Sequence, residues 1–263
     1  MSNFVCMLKQ DMRRGMGWRM LLAVVLVALS ILMDNADSVR YIGEDSNTTV
    51  YYFLVFSITI GGLFSIYLLP MLCAMPAATG FIEDRRHNFM PYMVARADKM
   101  NYLMSKYITS VMLGGLVAAL GTALLIAVLS IGCPQIDASQ FTADDMYMRG
   151  VTVNNMLPYY GYTLYYAFLN GCMYGGAAIC VSAYINSVYF TLASPFVLSF
   201  LIVQGQRTLR VPDGYRLDMW LRMRTMVVSE GVTMLLSLAC VAALLVLFGT
   251  VFVCKGRKAI ENV

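Results

Sequence analysis

Histidine is almost missing from this chain, and most metal chemistry goes with it: the one histidine, His87, cannot build a multi-histidine site. No HExxH pattern occurs, and no two cysteines stand at CxxC spacing. The seven cysteines (Cys6, Cys73, Cys133, Cys172, Cys180, Cys240 and Cys254) fall mostly inside apolar runs. They read as small buried hydrophobes. A glycine-rich loop followed by Lys and Ser or Thr is also absent, so the chain carries no phosphate-cradling ATPase motif of its own. Charge is the scarcest commodity. Only 13% of residues are charged, against roughly 25% in an ordinary soluble domain. None lies in 46–82, 107–136, 150–206 or 231–254. A soluble fold would need polar faces on those segments. The net charge of +4 is too small and too dispersed to suggest nucleic acid.

What remains is apolar sequence in lengths that suit a bilayer. An uncharged apolar run of about 18 residues or more spans ~30 Å of hydrocarbon as helix. The expected spans are about 18–34, 50–72, 107–131, 160–185, 188–204 and 231–254, in a single transmembrane domain that covers 1–263. The first is the weakest, with 14 apolar residues from Met20 to Met33, which also fits the core of a signal peptide. Trp18 and Arg19 extend it, and the sequence after Ser30 (ILMDNADS) is a poor cleavage site, so it reads as retained. The second is expected to bend near Pro70 and Pro76. Asn186 and Ser187 mark a minimal turn between the fourth and fifth, because one helix through 150–206 would overrun the membrane.

Orientation follows the lysines and arginines. With the N-terminus in the cytoplasm, segments 1–19, 82–106 and 255–263 hold 12 basic residues against 7 outside, and all five lysines. The outer side takes ten of the fifteen acids, among them Asp34, Asp37, Glu44 and Asp45. Residues 207–224, with five arginines, are the outer segment that dissents.

Three segments outside the spans have amphipathic character. In 2–16, Phe4, Met7, Leu8 and Met12 share one helical face, while Lys9, Arg13 and Arg14 lie on the other. Such a helix lies in the inner interface beside anionic lipid heads, and Gly15 and Gly17 let the chain turn into the membrane. Residues 213–226 carry Leu217, Trp220 and Leu221 as an apolar ridge on the outer side, as a surface helix or one that dips into the membrane and returns. The inner loop 81–106 interleaves Glu83, Asp84, Arg85, Arg86, Arg96, Lys99 and Lys106 with Phe89, Met90, Tyr92 and Met93. That mixture suits a short helix lying against the membrane surface or another protein, or else a passive interfacial loop.

Ionisable residues inside spans mark proton relays, ion sites and intramembrane catalysis. Glu230, at the outer mouth of the last span, is essentially the only one expected, paired with an arginine such as Arg224 or solvated. An intramembrane enzyme therefore lacks candidate residues. Gly171, Gly175 and Gly176 make a small-residue face for internal packing or for a subunit contact. Tyr166, Asn170 and Tyr174 give the fourth span uncharged polar handles that would suit the path of an amphipathic substrate, or an interfacial aromatic belt.

This arrangement resembles the permease subunits of exporter-type ABC transporters, the type-2 permease family, over nearly the whole chain in topology. In residues the likeness is concentrated in the inner loop. An acid soon after the second span (Glu83), a short apolar segment (Met90 to Val94), a basic residue (Arg96) and a lysine opening the third span (Lys106) follow the family order. ARAD (95–98) departs from the commoner Arg-Pro version. The resemblance implies an all-α membrane protein with six spans and both termini cytoplasmic. It implies that the inner loop is a coupling helix docking on separate ATPase subunits, which carry the ATP and Mg, with no cofactor on this chain. It also implies a second copy or a sister permease enclosing the export path. The other reading kept is a membrane scaffold or immunity-type protein that works by binding a partner.

Overall fold

The computed structural model describes residues 2–39, 49–136, 147 and 155–261, and every extended element in them is helical. An amphipathic α1 (Ser2–Gly15) meets α2 (Trp18–Asp34) at a 56° elbow. Gly17 sits there in extended conformation, and Gly15 lies flat against Leu113 and the carbonyl of Pro76. A Cβ at Gly15 would displace the Leu113 side chain. After the short α3 (Ala36–Val39), α4 (Val50–Leu54) runs through a π-helical stretch, Val55–Gly61, to a break at Gly62. Helix α5 (Leu63–Ala74) then leaves at 79° to the first half.

Of the bend expected near Pro70 and Pro76, Pro76 lies in the turn 75–79 where α5 ends, while Pro70 is inside α5. A further break, not expected, falls at Gly62, where the chain leaves the π-helical stretch in extended backbone. The last turn of α2 holds it. Asp34 accepts hydrogen bonds from the Phe64 and Ser65 N–H groups at 2.8 and 2.9 Å, capping α5 from a neighbouring helix. Asn35 donates to the Ser57 hydroxyl and the Ile31 carbonyl. A Cβ on Gly62 would overlap the Asp34 side chain.

Two short helices, α6 (Gly80–Arg86) and α7 (Met90–Ala97), lead into α8 (Lys99–Gly132). Helix α8 begins eight residues before the expected third span, so its first two turns belong to the inner loop. At 34 residues it is about 50 Å long and overruns the hydrocarbon. Helix α9 (Leu157–Ser182) packs along it, a five-residue turn leads to α10 (Val188–Thr208), and α11 (Leu217–Leu221) precedes α12 (Glu230–Glu261).

Helices α8 and α9 form the centre, and α2, α5, α10 and α12 surround them. Glycine sets the central contact. Gly114 of α8 faces Gly171 and Gly175 of α9, and a Cβ on Gly114 would come within 2.6 Å of the Gly171 carbonyl oxygen. Ser110 donates to the Gly175 carbonyl at 2.9 Å, and Gly176 lies against Leu245 of α12. These glycines are spent on packing within the chain. Towards the periphery the apolar character does not stop. Leu21 and Leu29 on α2, Phe200 and Leu201 on α10, and Leu235 and Val246 on α12 are exposed. Helices hydrophobic all round belong in lipid.

Among the described residues, α8, α9, α10 and α12 are each long and apolar enough to cross a membrane. The bent pairs α1–α2 and α4–α5 raise the number to as many as six. The described residues are those of an all-helical, multi-pass membrane protein. Parts of the expected outer connections, 40–48, 137–146 and 148–154, with Glu44 and Asp45 among them, lie outside the described residues.

Candidate functional site

One end of the bundle gathers α1, α6, α7, the start of α8 and the turn between α9 and α10. Its interior is ionic. Lys106, 5% exposed on α8, lies 2.8 Å from both Asp11 of α1 and Asp84 of α6. Asp84, 1% exposed, also takes Arg14 at 2.7 Å and the Tyr102 hydroxyl at 3.0 Å. Glu83 is held by Arg19, by Arg14 at 3.5 Å and by the Thr79 hydroxyl at 3.2 Å. Ser105 closes the remaining side of Asp11 at 2.6 Å. Buried charges are tolerated only when paired and hydrogen-bonded, and here each acid has at least two partners.

The electrostatics follow from that pairing. Burial would raise the Asp84 carboxyl, but Lys106 and then Arg14 outweigh it and hold it below the ordinary range. Burial acts in the same sense on Glu83, and Arg19, Thr79 and Arg14 bring it down. Arg14 is disfavoured by burial yet lifted above its usual value by Asp84 and Glu83. Beneath the network, Phe81 packs on Tyr102 and Phe252, with Met7 and Met90 in the same apolar cluster.

The inner-loop residues singled out from sequence therefore separate. Glu83, Asp84 and Lys106 face inward and bind α1 to α6 and α8. Arg85 is half-buried, while Arg86 and Lys99 are exposed. Arg86 donates to the Asn186 carbonyl at 3.0 Å and ties α6 to the turn between α9 and α10. Arg96 lies on α7. Helix α7 sits between two residues of positive φ, Asn88 (55°) and Asp98 (69°), so the chain enters and leaves it sharply. Asp98 caps α8 by accepting from its Lys99 N–H at 2.8 Å, and a non-glycine residue there costs about 1–3 kcal/mol. Met90 anchors one face, and Phe89 and Tyr92, 54% and 73% exposed, stand on the other. Sequence reasoning missed Asp11, Arg14 and Arg19. The available signal was Asp11 standing four residues from both Met7 and Gly15, in line with the buried stripe of α1.

A second site lies midway along the bundle. Asn170 of α9 donates to the Leu221 carbonyl at 3.2 Å. Since Asn170 is about 20 Å from the start of α9, α11 returns to the middle of that helix. The segment 213–226 folds inward against α9, with Leu217, Trp220 and Leu221 buried. Arg216 grips Asp218 through two nitrogens, at 3.2 and 3.0 Å, and Asp213 at 3.0 Å. Glu230 accepts from the Tyr162 hydroxyl at 2.9 Å.

Where α11 meets the broken helix, a cavity of about 90 Å³ opens between α5, α9, α10 and α11. Asn170 and Tyr174 line it, whereas Tyr166 is buried elsewhere, its hydroxyl 3.1 Å from that of Tyr147. Arg222 and Asp218 also line it. Both charges come from the segment between the fifth and sixth expected spans, so the expectation that the spans themselves carry no ionisable residue but Glu230 is not touched by them. Among the described residues no group of His, Cys, Asp and Glu is placed to hold a metal ion. Compared with protein-family models, curated proteins and solved structures, the chain matches none.

Proposed function

We propose that this chain is the membrane-spanning permease subunit of an ATP-driven exporter of the ABC type-2 kind. It has six spans with both termini in the cytoplasm. It works as two copies, or with a sister permease, beside separate ATPase subunits that hold the ATP and Mg. The cargo is hydrophobic or amphipathic. The observation that carries this reading is α7, a short helix presented at one end of the bundle with Phe89 and Tyr92 exposed and its base clamped. A partner pressing on α7 presses on α8 directly, and through Asp84 and Lys106 on α1 as well. Since α8 and α9 are locked backbone to backbone by glycine, the push moves two central spans as one body.

The test is co-purification from cells that make the protein natively. The double variant Tyr92→Ala/Arg86→Glu is expected to lose a bound ATPase by about tenfold or more, as truncation of an aromatic anchor does. Tyr215→Ala, at the other end of the bundle, keeps it. Retention of the ATPase by the double variant overturns α7 as the docking element. A wild-type chain that captures a different membrane protein and no ATPase favours the scaffold reading.

A further inference from the structure

The mid-bundle cavity combines features that an interior void would not keep. Ser65, 9% exposed, lines it, and the Ser65 hydroxyl is buried without a hydrogen-bond partner. A buried polar atom left in that state costs about 1–3 kcal/mol, so a ligand atom has something to satisfy. Arg222 lines the same cavity, with no carboxylate in ion-pairing range among the described residues. Arg222 is half-buried, and a cation in a wall that is otherwise largely uncharged attracts an anion. The one acid in the wall, Asp218, is already occupied by Arg216. The remaining wall is split. Asn170, Tyr174 and Ser199 are polar, and Ile58, Leu69 and Ile202 are apolar. The cavity is flanked by the broken α4–α5 pair and the short α11, and discontinuous helices are the architecture in which sites within transporters are built.

We propose that this cavity binds the anionic head and first methylenes of an amphiphile. The head is a carboxylate or phosphate that pairs with Arg222 and accepts from the Ser65 hydroxyl. By the room one water needs, about six waters fit in the cavity, so it takes a head and a few methylenes and leaves the rest of the chain outside. The proposal concerns one protomer without an ATPase. Its failure leaves the export reading standing, and loss of ATPase docking leaves it untouched.

Trp220, buried on α11 between the lining residues Leu217 and Leu221, provides the reporter. The Trp18→Phe protein, whose only tryptophan is then Trp220, is reconstituted in nanodiscs of unbrominated neutral lipid and titrated with 2-bromoundecanoate, which carries its bromine beside the head. The expected result is saturable quenching, at least tenfold tighter than with 2-bromoundecanol. In a second arm, discs of dibrominated phosphatidylglycerol without added acid report whether the head comes from a bilayer lipid. Quenching there that undecanoate relieves assigns the site to lipid phosphate. Quenching confined to the first arm assigns it to a free carboxylate. Arg222→Gln is expected to weaken undecanoate about tenfold and leave the alkanol unchanged, while Arg222→Lys restores the preference. Ser199→Phe, which fills the void, abolishes saturable quenching by both. Quenching that rises linearly with either probe in wild type, or undecanoate binding indifferent to Arg222→Gln, overturns the site.

Discussion

Lys106 shows how much can rest on one side chain. It stands between two buried carboxylates, so its removal leaves Asp11 without its cation and Asp84 with Arg14 alone. Removing one partner of a buried ionic group costs about 3–5 kcal/mol. Lys106→Met is expected to lower the melting temperature in detergent by roughly 10 °C, taking about 2–4 °C per kcal/mol for a chain of this size. The exposed Lys99→Met should change it by no more than about 2 °C. The same network sets the acid limit. Asp84 and Glu83 are held below their ordinary values, so their contribution is complete above the unfolded carboxylate value of about 4. It is lost as pH falls through the lower folded values. The stability of the network is expected to be flat from pH 5 to 8 and to drop below about pH 4. Melting curves of wild type and Asp84→Asn at pH 3.5 and 6 check this, and the variant should lose less on acidification.

At the scale of an element, small residues hold the centre of the bundle and a carboxylate holds its break. Gly175 meets the Ser110 backbone and Gly161 meets nothing within 4 Å, though both lie on α9. Gly175→Val is therefore expected to destabilise by about 1–3 kcal/mol through overpacking. Gly161→Ala should be neutral or stabilise by up to about 1 kcal/mol, because alanine restricts the unfolded chain. Thermal unfolding of the two variants in one detergent separates them. Asp34→Ala removes the cap of α5 and is expected to cost about 1 kcal/mol. In hydrogen exchange, the Phe64 and Ser65 amides should be the first to lose protection.

For the whole molecule, the export reading requires the ionic end of the bundle to face the cytoplasm and the end that carries α11 to face outward. In a background with Cys6 and Cys254 replaced by alanine, Lys258→Cys is expected to react with an impermeant maleimide only in inside-out vesicles. Leu209→Cys, exposed beyond α10, should react only in right-side-out ones. The reverse pattern would invert the topology and place α7 outside, away from any ATPase.

The amino-acid sequence by itself determined the membrane class, the amphipathic first helix, the turn at Asn186–Ser187 and the small-residue face of α9. Each is a local pattern: a run of apolar residues, a helical period, a spacing of glycines. Only the tertiary structure decided where the second span breaks, because the cap on α5 comes from Asp34, thirty residues away. The same holds for the pairing of Asp11 with Lys106, which needs α1 laid against α8, and for the cavity. Composition correctly reported spans free of charge. It left open whether 213–226 is a surface helix or one that dips inward, and only packing puts Leu221 against Asn170 and brings Arg222 to the cavity. Long-range packing sets the depth of a side chain, and a linear sequence does not record depth.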